Sequence, residues 1–186
     1  MPLTSLDPNT ALVIVDLQKG LAGLMPTAFD AVVTCSRKLA DAFRARELPV
    51  VLVTVDGMAP GRTEEPSRRM GVFPPGFADV VAELDQRPSD ILVTKQTWGA
   101  FATTDLEQQL KALGVTQVVI TGVATGTGVE ATARQAYEAG FNVTLAVDAM
   151  ADPRAGAHDH SVAKVFPRLG ETGTADDILT LLQESA

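Results

Sequence analysis

Five short, almost unbroken apolar runs limit what this chain can fold into more than any other feature. They are Ala11–Asp16 (ALVIVD), Val50–Val55 (VVLVTV), Ile91–Thr94 (ILVT), Gln117–Thr121 (QVVIT) and Asn142–Val147 (NVTLAV), with a weaker sixth at Arg168–Thr172. A strand with one wet face alternates apolar and polar residues. Continuous apolarity at strand length indicates burial on both faces, as in a parallel sheet covered by helices. The segments between the runs change period. In Ala28–Arg46, residues Phe29, Val32, Val33, Ser36, Leu39, Ala40 and Phe43 recur with helical spacing. Thr104 is placed to cap a helix that runs to Leu113 and stops at Gly114, and Val129–Ala139 stops at Gly140. Gly156–Val165 halts before Pro167, and Thr174 can cap Ala175–Leu182. Alternating β and α with short connections predicts a three-layer α/β/α sandwich. At roughly 150 residues per domain, the 186 residues are expected to form one domain over 1–186.

One connection is too long for that scheme. Asp56–Gly76 holds four prolines, four glycines and three arginines between two strands, and reads either as a solvated excursion or as a lid or binding segment.

Composition removes several function classes. Fifteen Lys and Arg against 23 Asp and Glu leave a net charge of −8, so no basic surface is expected to meet nucleic acid or an acidic membrane. No apolar run approaches the roughly 20 residues of a membrane span, and MPLTSLDPNT does not read as a signal peptide. A cytoplasmic location is expected. The lone cysteine, Cys35, excludes an intrachain disulfide and a CxxC site, and its place in the first helical pattern suits a buried structural thiol. His158 and His160 are two apart, on different faces of a helix, so no metal site is expected.

In open parallel sheets, ligands collect beyond the carboxyl ends of the strands. Strand one delivers Asp16 and then Gln18 to that edge. Strand three delivers Lys95, followed by Trp98 and Phe101. Strand four delivers Gly122-Val123-Ala124-Thr125-Gly126-Thr127-Gly128 and a helix start. Asp16 follows LVIV directly, so water is expected to be partly excluded from its carboxylate, and a nearby Lys95 ammonium would hold it ionised. Such a pair suits proton transfer and the stabilisation of developing charge, although a helix cap or a structural ion pair would use the same residues. Trp98 and Phe101 fit core or interface positions, with substrate stacking as the sharper reading. Arg134, in mid-helix, is expected to be a buried ion-pair donor. His158 would cap a helix or line the cleft rim.

The glycine-rich stretch supports two readings. Gly126–Ala131 fits GxGxxA with Asp148 about 20 residues on, the outline of a dinucleotide fingerprint, but it lies after the fourth strand and four residues separate it from that strand. The alternative is a helix start whose backbone N–H groups bind an oxyanion or carboxylate.

The segments Thr10–Gly20 (TALVIVDLQKG), Lys95–Leu106 (KQTWGAFATTDL), Thr121–Ala136 (TGVATGTGVEATARQA) and Asn142–Ala149 (NVTLAVDA) occur in one order along the chain. Through them the chain resembles the isochorismatase-like hydrolases over nearly its whole length. The resemblance implies a six-stranded parallel sheet of order 3-2-1-4-5-6, a cis peptide at Val123–Ala124 and a homo-oligomer, dimer or tetramer. Most of that family resemble Cys–Asp–Lys amidohydrolases, and Asp16 and Lys95 fall on the Asp and Lys positions. The cysteine position is Gly128, which has no side chain to attack a carbonyl. The second-strand region, VLVTVDGM, lacks the histidine of nicotinamidase-type metal sites. Isochorismatases themselves resemble Asp-dependent enzymes that protonate a vinyl ether, chemistry compatible with glycine at that position. This chain reads GVATG where siderophore and phenazine isochorismatases have a GVYAH-like stretch, which points away from isochorismate.

The expected function is hydrolysis of a vinyl ether or C–N bond in a small molecule, with no cofactor. Asp16 would be the acid or base, Lys95 its electrostatic partner and Gly128 the position of the missing thiol. Gln18, Trp98, Phe101, Val123, Ala124 and Thr127 would bind substrate. A family member that binds a small molecule, or serves as a scaffold, without turnover is the alternative, and a dinucleotide enzyme is a third.

Overall fold

The computed structural model describes residues 3–64 and 73–184. Along the chain run β1 (Thr10–Val15), α1 (Lys19–Ala22), α2 (Pro26–Arg44), β2 (Val50–Val55), β3 (Ile91–Lys95), α3 (Leu106–Ala112), β4 (Gln117–Val123), α4 (Glu130–Glu138), β5 (Asn142–Ala151), α5 (Ala157–His160), β6 (Glu171–Gly173) and α6 (Ala175–Glu184). All six strands pair in parallel in one sheet, in the order β3-β2-β1-β4-β5-β6.

The continuous apolar runs are the inner strands, and alternate residues of each feed different cores. Leu12, Ile14, Leu52 and Val119 face one layer, where they pack with Phe29, Leu39 and Phe43 of α2 and with Ile178 and Leu182 of α6. Val13, Val15, Val53, Val118 and Ile120 face the other, against Leu106 and Leu110 of α3 and Val129 and Ala133 around α4. Every residue of β1 and β4 is buried, while the edge strands β3 and β6 are partly exposed. Burial on both faces therefore holds for the middle of the sheet and lapses at its rims, where β3 exposes Leu92.

Several element boundaries differ from expectation for local reasons. The first long helix starts at Pro26, a residue suited to a first helical turn because its missing N–H is not needed there. Thr104 Oγ1 accepts the Leu106 N–H at 3.2 Å, so the threonine does serve the start of α3. The helix expected over Gly156–Val165 is not uniform. A short α5 widens into a π-helical turn at Ser161–Val165 and tightens into a 3₁₀ turn at Phe166–Arg168, which carries the chain through Pro167. Strand β6 sits later than Arg168–Thr172. Thr174 caps α6 reciprocally: Asp177 N–H donates to its Oγ1, and its own N–H donates to Asp177 Oδ2. No helix among the described residues is long and apolar enough to cross a membrane.

Of the long connection, residues 65–72 lie outside the described residues. Its far end returns against α1: Gly20 N–H donates to Phe77 O, and Lys19 pairs with Asp79 at 2.9 Å.

Candidate active site

Strand β1 ends abruptly. Asp16 has a φ of +57°, a left-handed conformation that aspartate tolerates better than most residues. Its N–H still bonds Val53 O of β2, and only 5% of the residue is exposed. Lys95 ends β3, two strands away. Its long side chain crosses the end of β2, and Nζ reaches Asp16 Oδ2 at 2.8 Å and Thr97 O at 3.2 Å. Lys95 is 1% exposed, so the pair is sequestered from water.

The two oxygens of Asp16 are not equivalent. Oδ2 accepts from Lys95, whereas Oδ1 is buried with no hydrogen-bond partner. Burial is the dominant influence on the carboxyl and overrides the pull of Lys95, so its pKa is pushed up to about 6. An acid in that state carries a proton well above the ordinary carboxylate range and can present it from Oδ1.

The third wall is the turn after β4. The Val123–Ala124 peptide is cis, and residues Thr125–Val129 form a π-helical turn that leads into α4. Gly122 makes the approach possible. Its φ is +115°, and a Cβ there would lie 2.0 Å from Val15 O, so no larger residue fits between β4 and β1. Gly128 rests on Asp16 itself: a Cβ at 128 would lie 2.9 Å from Asp16 Oδ2 and 3.1 Å from Val123 O. Asp16 has closed over the place a side chain would occupy.

The other expected site residues divide. Val123 is buried, and Ala124 and Thr127 are partly exposed beside the turn. Gln18 is fully buried, but its amide is spent. Nε2 donates to Val55 O and Phe77 O, while Oε1 accepts the Val55 N–H at 2.7 Å. It ties β1, β2 and the returning loop together, with both of its N–H donors used within the fold. Phe101 belongs to the core, 6.0 Å from Phe141 between ring centroids, and not to the cleft. Trp98 goes the other way, 61% exposed after β3. Arg134 is half-exposed on α4, paired with Glu130 one turn back, which corrects the expectation of a buried donor. The oxyanion reading also narrows. Gly126 N–H is taken by Asp152 Oδ2 at 2.7 Å and Thr127 N–H by Ala124 O, so neither amide is free to bind an oxyanion.

Asp148, the acidic residue of the dinucleotide outline, accepts the Ala175 N–H at the start of α6. The residues that sequence reasoning missed are Asp152 and Arg154, just past β5. They act through the tertiary placement of a loop, and no spacing in the chain announces them. His158 Nδ1 lies 3.0 Å from Thr125 Oγ1, on the flank of the same turn. Among the described residues no cluster of His, Cys, Asp or Glu could hold a metal ion. Two surface grooves lie elsewhere, one of about 250 Å³ beside Tyr137 and Arg168 and one of about 530 Å³ beside Phe29 and Arg37.

Fold and site together define an open parallel-sheet α/β protein with a sequestered carboxylate–ammonium pair at the carboxyl edge of its first and third strands. An isochorismatase domain model matches residues 10–177, and the chain belongs to the isochorismatase family, with that family's hydrolase fold. It is 38% identical over 184 residues to the isochorismatase family protein YecD of Escherichia coli O157:H7, covering 94% of this chain and 96% of that one. YwoC of Bacillus subtilis (strain 168) is 37% identical over 178 residues, 92% of this chain and 93% of the relative. A crystallised isochorismatase family protein from Burkholderia thailandensis superposes with a TM-score of 0.91 at 38% identity, covering 96% of this chain and 98% of that one. More distant relatives include proteins named ureidoacrylate amidohydrolase and nicotinamidase.

Proposed function

We propose that this protein hydrolyses a small enol ether, with Asp16 as general acid and water as the nucleophile. The observation that carries this reading is the asymmetry of the Asp16 carboxyl: Oδ2 is anchored by Lys95, and Oδ1 is buried and unpartnered. An anchored acid with one free oxygen has a defined direction in which to deliver its proton.

The step balances without a side-chain nucleophile. Asp16 gives its proton to the terminal vinyl carbon, and the ether oxygen's electron pair stabilises the adjacent cation. Water adds to that cation and returns a proton to Asp16. The resulting hemiketal collapses, breaking the C–O bond and releasing a ketone and an alcohol. Lys95 keeps the carboxylate formed in the first step from being an isolated buried charge. Gly128 removes the attacking thiol that amide hydrolysis by a covalent route would need, so an acid-initiated reaction suits this site better than C–N cleavage. The GVATG stretch points to an enol ether other than isochorismate.

A second reading is binding without turnover, favoured by the near-complete burial of both Asp16 and Lys95. The two are separated by assaying ketone release from a panel of small enol ethers with the unsubstituted protein and Asp16→Asn. Loss of a positioned general acid is expected to cost about 10²–10⁴-fold in rate, and the rate of the unsubstituted protein should climb as pH falls through about 6. Turnover retained in folded Asp16→Asn sinks the acid assignment. Saturable binding with no turnover across the panel selects the second reading.

A further inference from the structure

We propose that Asp152 is a positioning residue: clamped by Arg154, its carboxylate holds the Gly126 amide and so keeps the 125–129 turn, with Gly128, pressed onto Asp16. This rests on the reading of Asp16 as the functional acid and adds to it the part that sets the acid's surroundings.

The geometry is a relay of direct contacts. Asp152 follows β5, whose Ala151 pairs with Val123 at the end of β4. Its side chain is fully buried although it is ionic. Oδ1 accepts from the Arg154 backbone N–H at 2.9 Å and from Arg154 Nε at 3.2 Å, and Oδ2 accepts the Gly126 N–H at 2.7 Å. Burial alone would raise this carboxyl. The Arg154 side chain, the Arg154 amide and the Gly126 amide outweigh it and hold it below the usual carboxylate range, so Asp152 stays an anion and a constant acceptor. Gly126 is also packed from that side, where a Cβ would lie 3.2 Å from Arg154 Nη2 and 3.4 Å from the Ala157 methyl.

Two further bonds from the same segment reach the turn and the first residue of α4 behind it. His158 meets Thr125, and Ser161 Oγ donates to Glu130 Oε2 at 2.6 Å. Residues 152–161 thus act as a strap along the outer side of the turn, and Asp152 is the member that grips its backbone. Two residues further on, Gly128 lies against Asp16 Oδ2 on the inner side. Releasing the grip lets the turn lift. Water then reaches Asp16, and the desolvation that dominates its proton affinity is relieved. Lys95 is the charged group that acts on Asp16, so the coupling runs through the position of the turn and not through the charge of Asp152.

The test follows the Asp16 side-chain carboxyl and the Gly128 amide by NMR across a pH titration, in the unsubstituted protein, Asp152→Ala and Asp152→Asn, with thermal melting as the check on folding. Asparagine keeps an oxygen that can accept the Gly126 N–H and lacks the charge; alanine lacks both. Asp152→Ala is expected to move the Gly128 amide resonance and to lower the Asp16 midpoint by about one unit or more. Asp152→Asn should fall between the unsubstituted protein and Asp152→Ala, because its oxygen can accept the Gly126 N–H while its amide nitrogen faces the Arg154 donors. Unchanged Gly128 and Asp16 signals in folded Asp152→Ala overturn the proposal. So does an Asp16 midpoint that moves while the Gly128 amide stays in place, since the effect would then not run through the turn. An Asp16 that titrates in the ordinary carboxylate range in the unsubstituted protein refutes the acid reading separately, while the Gly128 amide still reports whether Asp152 holds the turn.

Discussion

Replacing Asp16 with asparagine turns the buried pair into a measurable dependence of stability on pH. Folding raises the Asp16 pKa from 3.8 to about 6 because burial outweighs the attraction of Lys95. The folded state therefore binds this proton more tightly than the unfolded state does. The stabilising contribution is fully present below pH 3.8 and is lost as pH rises through about 6. The shift is about 2.2 units, and at 1.36 kcal/mol per unit the loss is about 3 kcal/mol. Asparagine has no proton to lose. Because some of that loss falls below pH 4, the difference in unfolding free energy between the two proteins should move by about 2.4 kcal/mol in favour of the variant between pH 4 and pH 7. With a urea m-value of about 2 kcal/mol/M, the two midpoints should shift relative to one another by about 1.2 M. Every other carboxylate cancels in the comparison, which is made by urea denaturation at half-unit pH steps. Repeating it in a Lys95→Met background removes any response of the ammonium. The change should then be larger, because the attraction that opposes burial is gone. A midpoint difference that stays constant from pH 4 to 7, or moves in favour of the unsubstituted protein, refutes the reasoning.

Two other substitutions test the packing around the site, and a third tests a buried ion pair at the opposite edge of the sheet. Gly128→Ala places a methyl 2.9 Å from Asp16 Oδ2 and 3.1 Å from a backbone carbonyl. Overpacking of this kind costs about 1–3 kcal/mol, seen as a melting temperature lowered by about 2–4 °C per kcal/mol. An unchanged melt would show that Asp16 yields freely. Gln18→Leu strands the Val55 N–H and two carbonyls, and leaving such buried groups unsatisfied is expected to cost about 1–3 kcal/mol by denaturant titration. A neutral result would mean that water replaces the amide. Arg44→Met leaves the buried Asp90 carboxylate without its bidentate partner. A loss of about 3–5 kcal/mol is expected from breaking a buried pair, and a loss under 1 kcal/mol would show that the Arg87 amide alone satisfies it.

Much of the molecule is legible in the linear chain because its signals are local. Unbroken apolar strands can only be covered on both faces, so layers and parallel pairing follow from composition along the chain. Asp16 and Lys95 are legible for a related reason: each terminates an apolar run, and strand ends in such sheets gather on one edge. Phe101 went to the core, the plainer of its two readings, while Arg134 misled because a cation in a helical pattern does not announce which way its side chain turns. Gln18 misled because its partners, Val55 and Phe77, are far away in sequence.

The sequence by itself determined the alternation of strands and helices, the placement of Asp16 and Lys95 at strand ends and the absence of a thiol at position 128, since each is a matter of residue type and order. Only the tertiary structure decided that Lys95 spans β2 to reach one oxygen of Asp16 and leaves the other unpartnered. It alone settled that Gly128 rests directly on that carboxyl, and that Asp152 and Arg154 grip the turn from behind. The physical reason is that desolvation, close approach and hydrogen-bond saturation are properties of a point in space. They depend on every segment that meets there, and in this protein those segments come from β1, β3, β4 and the loop beyond β5.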